Sequence, residues 1–121
     1  MLLSIDGFTR LLDTAVSRLP KEIFEGLNLG IGVVEGVKRQ HNTASGQPAY
    51  ILGEYRVSHA MGRGIVLYYG SFRQVYPDLQ EDERAFQLID DVLKHELTHH
   101  LEHQAGARDL EIADARRLKE M

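Results

Sequence analysis

The sequence predicts an α+β fold, and two observations carry that prediction. Apolar residues recur at helical spacing near both ends of the chain, over residues 4–19 and again from Asp78 onward. Between them lie three short segments rich in β-branched and aromatic residues, set off by Gly- and Pro-bearing turns.

Taken in order, Ile5, Phe8, Leu11, Leu12, Ala15, Val16 and Leu19 define one apolar stripe, with Ser4 or Asp6 placed to cap the helix start. Pro20 ends that helix and can open a short second one over Lys21–Leu27. Asn28-Leu29-Gly30 reads as a turn. The three strands are then expected at Ile31–Val37, Ala49–Val57 and Ile65–Tyr69, with a polar loop over Lys38–Pro48 that holds His41. In the second strand Glu54 and Tyr55 fall on opposite faces. The continuous apolar run Ile65–Tyr69 suits a buried central strand, and the short polar turn before it predicts an antiparallel hairpin. Tyr68 and Tyr69 are expected to pack in the sheet, although a phenol near a metal would also serve as an oxyanion donor. Gly70-Ser71-Phe72 closes the strand. A long helix is expected over Asp78–Ala105, started by Asp78 or Glu81, with Phe86, Ile89, Leu93, Leu97 and Leu101 on its inner side. Gly106 fits a left-handed cap, and Asp109 would then cap a final helix over Leu110–Lys119.

Composition narrows the function classes. The 121 residues suffice for one domain over 1–121. A net charge of -4, from 18 acids and 14 bases, argues against sequence-independent nucleic-acid binding, which depends on basic surface. The absence of cysteine excludes disulfides and thiolate zinc sites, so any metal must be held by His and carboxylates. No basic region followed by an apolar run opens the chain, and no window is long enough to span a membrane. A cytoplasmic protein with no membrane partner is the expectation.

The chemistry concentrates at His95-Glu96-Leu97-Thr98-His99, an H-E-x-x-H pattern on the long helix. Residues four apart stack on one helix face, so His95 and His99 can grip one zinc ion at about 2.0–2.1 Å per nitrogen. Glu96 points roughly 100° away around the helix. It is better placed as a base than as a ligand: zinc brings the pKa of water toward about 7, and a neighbouring carboxylate can take that proton and pass it to a leaving amine. A histidine-rich solvated face would produce a similar string, since His100 and His103 follow at once. A catalytic zinc takes three protein ligands. Glu102 and His103 lie about 5 Å farther along the axis than His99. Asp109 and Glu111 follow Gly106, where the chain can fold back, and spacing alone does not separate those two.

Four blocks of this sequence carry a family resemblance: Tyr50–Tyr55, Ile65–Phe72, His95–Glu102, and Ala105-Gly106 through Asp109–Ile112. Across nearly the whole chain they resemble the small bacterial zincin-like metallopeptidases, the minimal zincin fold. The resemblance implies a small mixed or antiparallel sheet of about three strands, packed on the H-E-x-x-H helix with flanking helices. It implies zinc on His95 and His99, with Glu96 as general base. One departure stands out. The better-known branch has glycine three residues after the second histidine, where this chain has Glu102; the Gly-x-x-acid spacing recurs here as Gly106 and Asp109, about one turn later.

The expectation is therefore a zinc-dependent metallopeptidase acting on a peptide or protein substrate, with Glu96 catalytic and His95, His99 and either Asp109 or Glu111 on the metal. The alternative is a non-catalytic metal-binding or protein-interaction module on the same scaffold. Oligomeric state is not readable from the sequence.

Overall fold

The computed structural model describes residues 2–40 and 49–120, with side chains described as far as 107. His41 and most of the expected polar loop lie outside the described residues. The helices are α1 (Ile5–Ser17), α2 (Tyr69–Val75) and α3 (Glu83–Glu120), with a 3-10 turn at Lys21–Phe24 in place of the longer helix expected there. The strands are β1 (Gly30–Val34), β2 (Arg39–Gln40), β3 (Ala49–Tyr50), β4 (Gly53–Ser58) and β5 (Gly62–Tyr68).

Helix α1 starts at Ser4, whose hydroxyl accepts the Gly7 N–H at 3.0 Å and satisfies one of the unpaired first-turn donors. Its buried Phe8, Leu12 and Ala15 belong to the core that α1 and α3 share. The main sheet has the order β1-β5-β4, with β5 parallel to β1 and antiparallel to β4. The expected hairpin is present, and its turn is fixed by Asn28. The Asn28 amide donates to the Met61 carbonyl at 2.8 Å and its oxygen accepts the Arg63 N–H at 2.9 Å. Gly62, at φ +112°, leaves room for that side chain, which a Cβ would overlap.

The sheet turns one face toward α3. Gly53 pairs with Leu67 and Tyr55 with Ile65, so all four lie on that face, and Ile65 and Leu67 are fully buried. Glu54, Arg56 and Tyr68 point the other way.

Four further expectations are corrected. The second strand is broken at Ile51–Leu52, because β3 leaves to pair with β2 inside the expected loop. The segment after β5 is helical: α2 follows the strand without a side-chain cap and carries Phe72 into the core, edge-on to Phe8 at 4.9 Å. Helix α3 starts later than Asp78 or Glu81, with the Asp82 carboxylate accepting the Ala85 N–H at 3.0 Å. The largest correction is at Gly106. Its backbone has no left-handed conformation, and α3 runs through it without a break to Glu120. Among the described residues there is no separate final helix and no turn back. Nor, among them, is any helix long and apolar enough to cross a membrane.

Candidate metal centre and adjoining cleft

Helix α3 separates its histidines by face. Its buried stripe runs Phe86, Ile89, Leu93, Leu97, His100 and then half-buried Gln104, steps that average 3.6 residues. Strict four-residue steps would have placed Leu101 inward; it is 44% exposed instead. His95 and His99 stand on the outer side, exposed.

Their rings meet edge to face, with centroids 4.8 Å apart, and the two Nε2 atoms are 3.3 Å apart. That is long for a hydrogen bond between ring nitrogens. It matches a shared metal: two nitrogens each about 2.0–2.1 Å from a tetrahedral ion stand about 3.3–3.4 Å apart. The four-residue spacing thus brings the two Nε2 atoms together on the exposed face of the helix.

Glu96 is 8% exposed and lines a cleft of ≈ 390 Å³ together with His95. The segment Tyr50–Gly53 forms the opposite wall, and Asp91 and Val92 extend the helix side. Gly53 sets the width of this contact. A Cβ there would lie 2.6 Å from Val92 Cγ1 and 3.4 Å from Glu96 Cγ. The missing side chain lets α3 settle against β4 and seats the Glu96 stem.

The same strand offers hydrogen bonds. Tyr68 N–H donates to the Leu52 carbonyl at 2.9 Å, so the even-numbered residues of β4 direct their backbone groups at β5. By the alternation of an antiparallel ladder, Gly53, Tyr55 and Val57 direct theirs outward, along an edge that no described strand covers. One step earlier the Ile51 N–H is taken by the Lys38 carbonyl at 2.9 Å, which ends the open stretch.

His100 is a different case. It is fully buried, with Nε2 2.8 Å from the Glu25 carbonyl and Nδ1 2.8 Å from the Tyr55 hydroxyl. A carbonyl only accepts, so the ring donates from Nε2. Burial pushes the Tyr55 phenol up, against a smaller opposing effect of Arg63, and keeps it a donor. His100 is therefore a satisfied core residue joining three segments.

The other expected site residues fall as follows. Tyr68 hydrogen-bonds Glu54 at 2.9 Å and Arg56 at 2.6 Å on the far face of the sheet, and Tyr69 donates to the Leu3 carbonyl. Neither phenol is placed as an oxyanion donor for the histidine pair. Glu102 and His103 are exposed. The side chains of Asp109 and Glu111 lie outside the described residues. Among the described residues, no group of three His, Asp or Glu converges to hold a metal. A larger depression of ≈ 560 Å³, lined by Glu22, Glu25, Arg63 and Gln104, includes none of the H-E-x-x-H residues.

Sequence reasoning missed Gly53, Asp91 and the burial of His100. A glycine inside a strand signals a close backbone approach. Asp91 stands four residues before His95, on the same helix face. His100 falls on the 3.6-residue stripe once that period is followed past Leu97.

No protein-family model and no curated protein matches this chain. Among solved structures it is similar to a conserved hypothetical protein from Thermo thermophilus. The two share 29% identity and a TM-score of 0.70 over 86% of this chain and 99% of that one. That likeness supports the α+β architecture, and that protein's description assigns no activity.

Proposed function

We propose that the chain is a zinc-dependent metallopeptidase of the minimal zincin type. The observation that carries this reading is the convergence of His95 and His99 Nε2 at 3.3 Å, beside a cleft into which Glu96 opens. Zinc held there supplies a Lewis acid that polarises a carbonyl and acidifies water. The rest belongs to the chain. An extended peptide pairs along the outward groups of Gly53, Tyr55 and Val57, adding a strand to the sheet. Glu96 takes a proton from the attacking water and returns it to the leaving amine. Tyr50, Ile51, Leu52 and Val92 exclude solvent on one side, and the site is otherwise shallow.

The third ligand is proposed to be a carboxylate beyond Gly106, Asp109 or Glu111. On an uninterrupted helix, position 109 is about 15 Å of axial rise past His99. A ligand role there therefore requires α3 to open at Gly106, its only glycine and its weakest helix former. Zinc addition then lowers helical circular dichroism, and Asp109→Ala or Glu111→Ala weakens zinc by more than the 10–100-fold typical of an outer-shell change. Chelator competition on these variants, with Glu102→Ala and His103→Ala beside them, decides it. A large loss only at Glu102 or His103, with unchanged helicity, places every ligand on one helix and removes most support for a peptidase.

The test of the reaction is Glu96→Gln, which keeps shape and removes the base. The variant is expected to retain zinc and melting temperature and to lose cleavage of a peptide library. The alternative is a metal-binding or interaction module without catalysis. It gains if zinc binds stoichiometrically while wild type and Glu96→Gln are equally inert.

A further inference from the structure

Resting on the peptidase reading, we propose that the cleft selects extended peptides carrying a basic side chain near a large apolar one, and that Asp91 reads the basic group. Asp91 lines the same cleft as His95 and Glu96 and is exposed. Its charge is uncommitted: among the described ion pairs of α3, Lys94 is bound to Asp90 at 2.8 Å and no cation is paired with Asp91. Among the described residues, no lysine or arginine lines the cleft. The wall facing Asp91 is apolar, formed by Ile51 and Leu52 with Val92 beside them. The site thus offers a hydrophobic surface and two carboxylates with no described ion partner: Glu96, which is buried, and at its end Asp91, which is exposed.

Geometry sets the position of the basic residue. Asp91 precedes the centre of the His95–His99 pair by six residues, about 9 Å of helix rise. An extended peptide covers that distance in about three residues. Helix α3 and β4 run side by side in the same sense, since Val92 and Glu96 meet Gly53 while His100 meets Tyr55. The basic side chain therefore lies toward the Ile51 end of the edge, two or three residues from the bond to be cut. The apolar side chain packs between, on Leu52 and Val92.

The test uses the zinc-loaded full chain and peptides of one sequence, with leucine fixed and Lys, Gln or Glu placed two or three residues from the scissile bond. A second set ends in a hydroxamate, which captures zinc whether or not turnover occurs. Cleavage of the Lys peptide is expected about fivefold above the Gln peptide, the scale of an exposed charge pair, with the Glu peptide lowest. Asp91→Asn is expected to erase that order and Asp91→Lys to turn it toward Glu. Cleavage without a charge order, or an order unchanged in Asp91→Asn, overturns the proposal and leaves the peptidase reading standing. If nothing is cleaved but hydroxamate binding follows Lys, Gln, Glu and loses that order in Asp91→Asn, the cleft assignment holds and the peptidase reading falls. If nothing is cleaved and binding shows no order, both fall.

Discussion

His99 and His100 are neighbours in the chain and opposites in the fold. His99 stands in solvent with its Nε2 turned toward His95, and neither ring nitrogen of the pair meets a carbonyl or hydroxyl among the described contacts. His100 lies wholly inside, with both nitrogens committed to Glu25 and Tyr55. One rotation of 100° on a helix separates a side chain free to take a ligand from one that is spent on holding segments together. Residue type does not reveal which is which; the partners of the lone pairs do.

That contrast breaks most sharply at His100. His100→Ala is expected to destabilise the fold by about 2–4 kcal/mol, since it opens a cavity and leaves the Tyr55 hydroxyl without its partner, while the Glu25 carbonyl keeps the Gln104 amide at 3.0 Å. His99→Ala, at an exposed position, is expected to stay within about 0.5 kcal/mol in metal-free protein. Thermal melts of the two variants in chelator measure the difference, and equal losses would erase the distinction. Zinc closes the gap. At about 100 times its dissociation constant it is expected to stabilise wild type by about 2.7 kcal/mol, and to add nothing to His95→Ala or His99→Ala.

A smaller effect sharpens the same boundary from the strand side. Gly53→Ala sets a methyl against Val92 and the Glu96 stem, which is expected to cost about 1–3 kcal/mol. It is also expected to reduce cleavage more than zinc affinity, because Glu96 shifts while the histidine pair does not. Urea melts with parallel zinc titration separate the two readouts.

The smallest effect concerns the far face of the sheet. Burial there raises the Glu54 carboxyl and is the largest single influence. Hydrogen bonds from Lys38, Arg56 and Tyr68 together outweigh it and hold the group down at about 2. A carboxylate held below its ordinary 4.5 adds stability that is complete above that pH and lost as pH falls toward 2. Glu54→Gln is expected to flatten this acid limb in urea melts between pH 5 and 2 while leaving zinc binding alone. An unchanged limb would mean that the network contributes nothing to stability.

The parts of this fold legible in the sequence are those fixed by local period. A cap at Ser4 or Asp6, the stripe of α1, the antiparallel hairpin and the four-residue histidine spacing all follow from neighbours within one or two turns. What escapes is set by distant contacts. The α2 segment is short, contains Gly70, and is helical because Phe72 is drawn against Phe8. The break at Ile51–Leu52 exists because Lys38 comes across to pair. Gly106 reads as a stop, yet one glycine costs only about 1 kcal/mol in a helix interior, and α3 continues through it. At the site, the histidine spacing is readable, while the wall that makes a cleft of it comes from strand residues about forty positions earlier.

The open edge of β4 has a consequence for how this molecule behaves in a crowd. The outward N–H and C=O groups at Gly53, Tyr55 and Val57, which no described strand covers, are of the kind that can pair with an extended backbone, and Val57 and Met61 near their end are 46% and 67% exposed. Natural sheets usually protect such margins with charge, proline or a covering segment. A margin kept bare is also a template for self-association, so colloidal stability and ligand access are opposed in the same few residues.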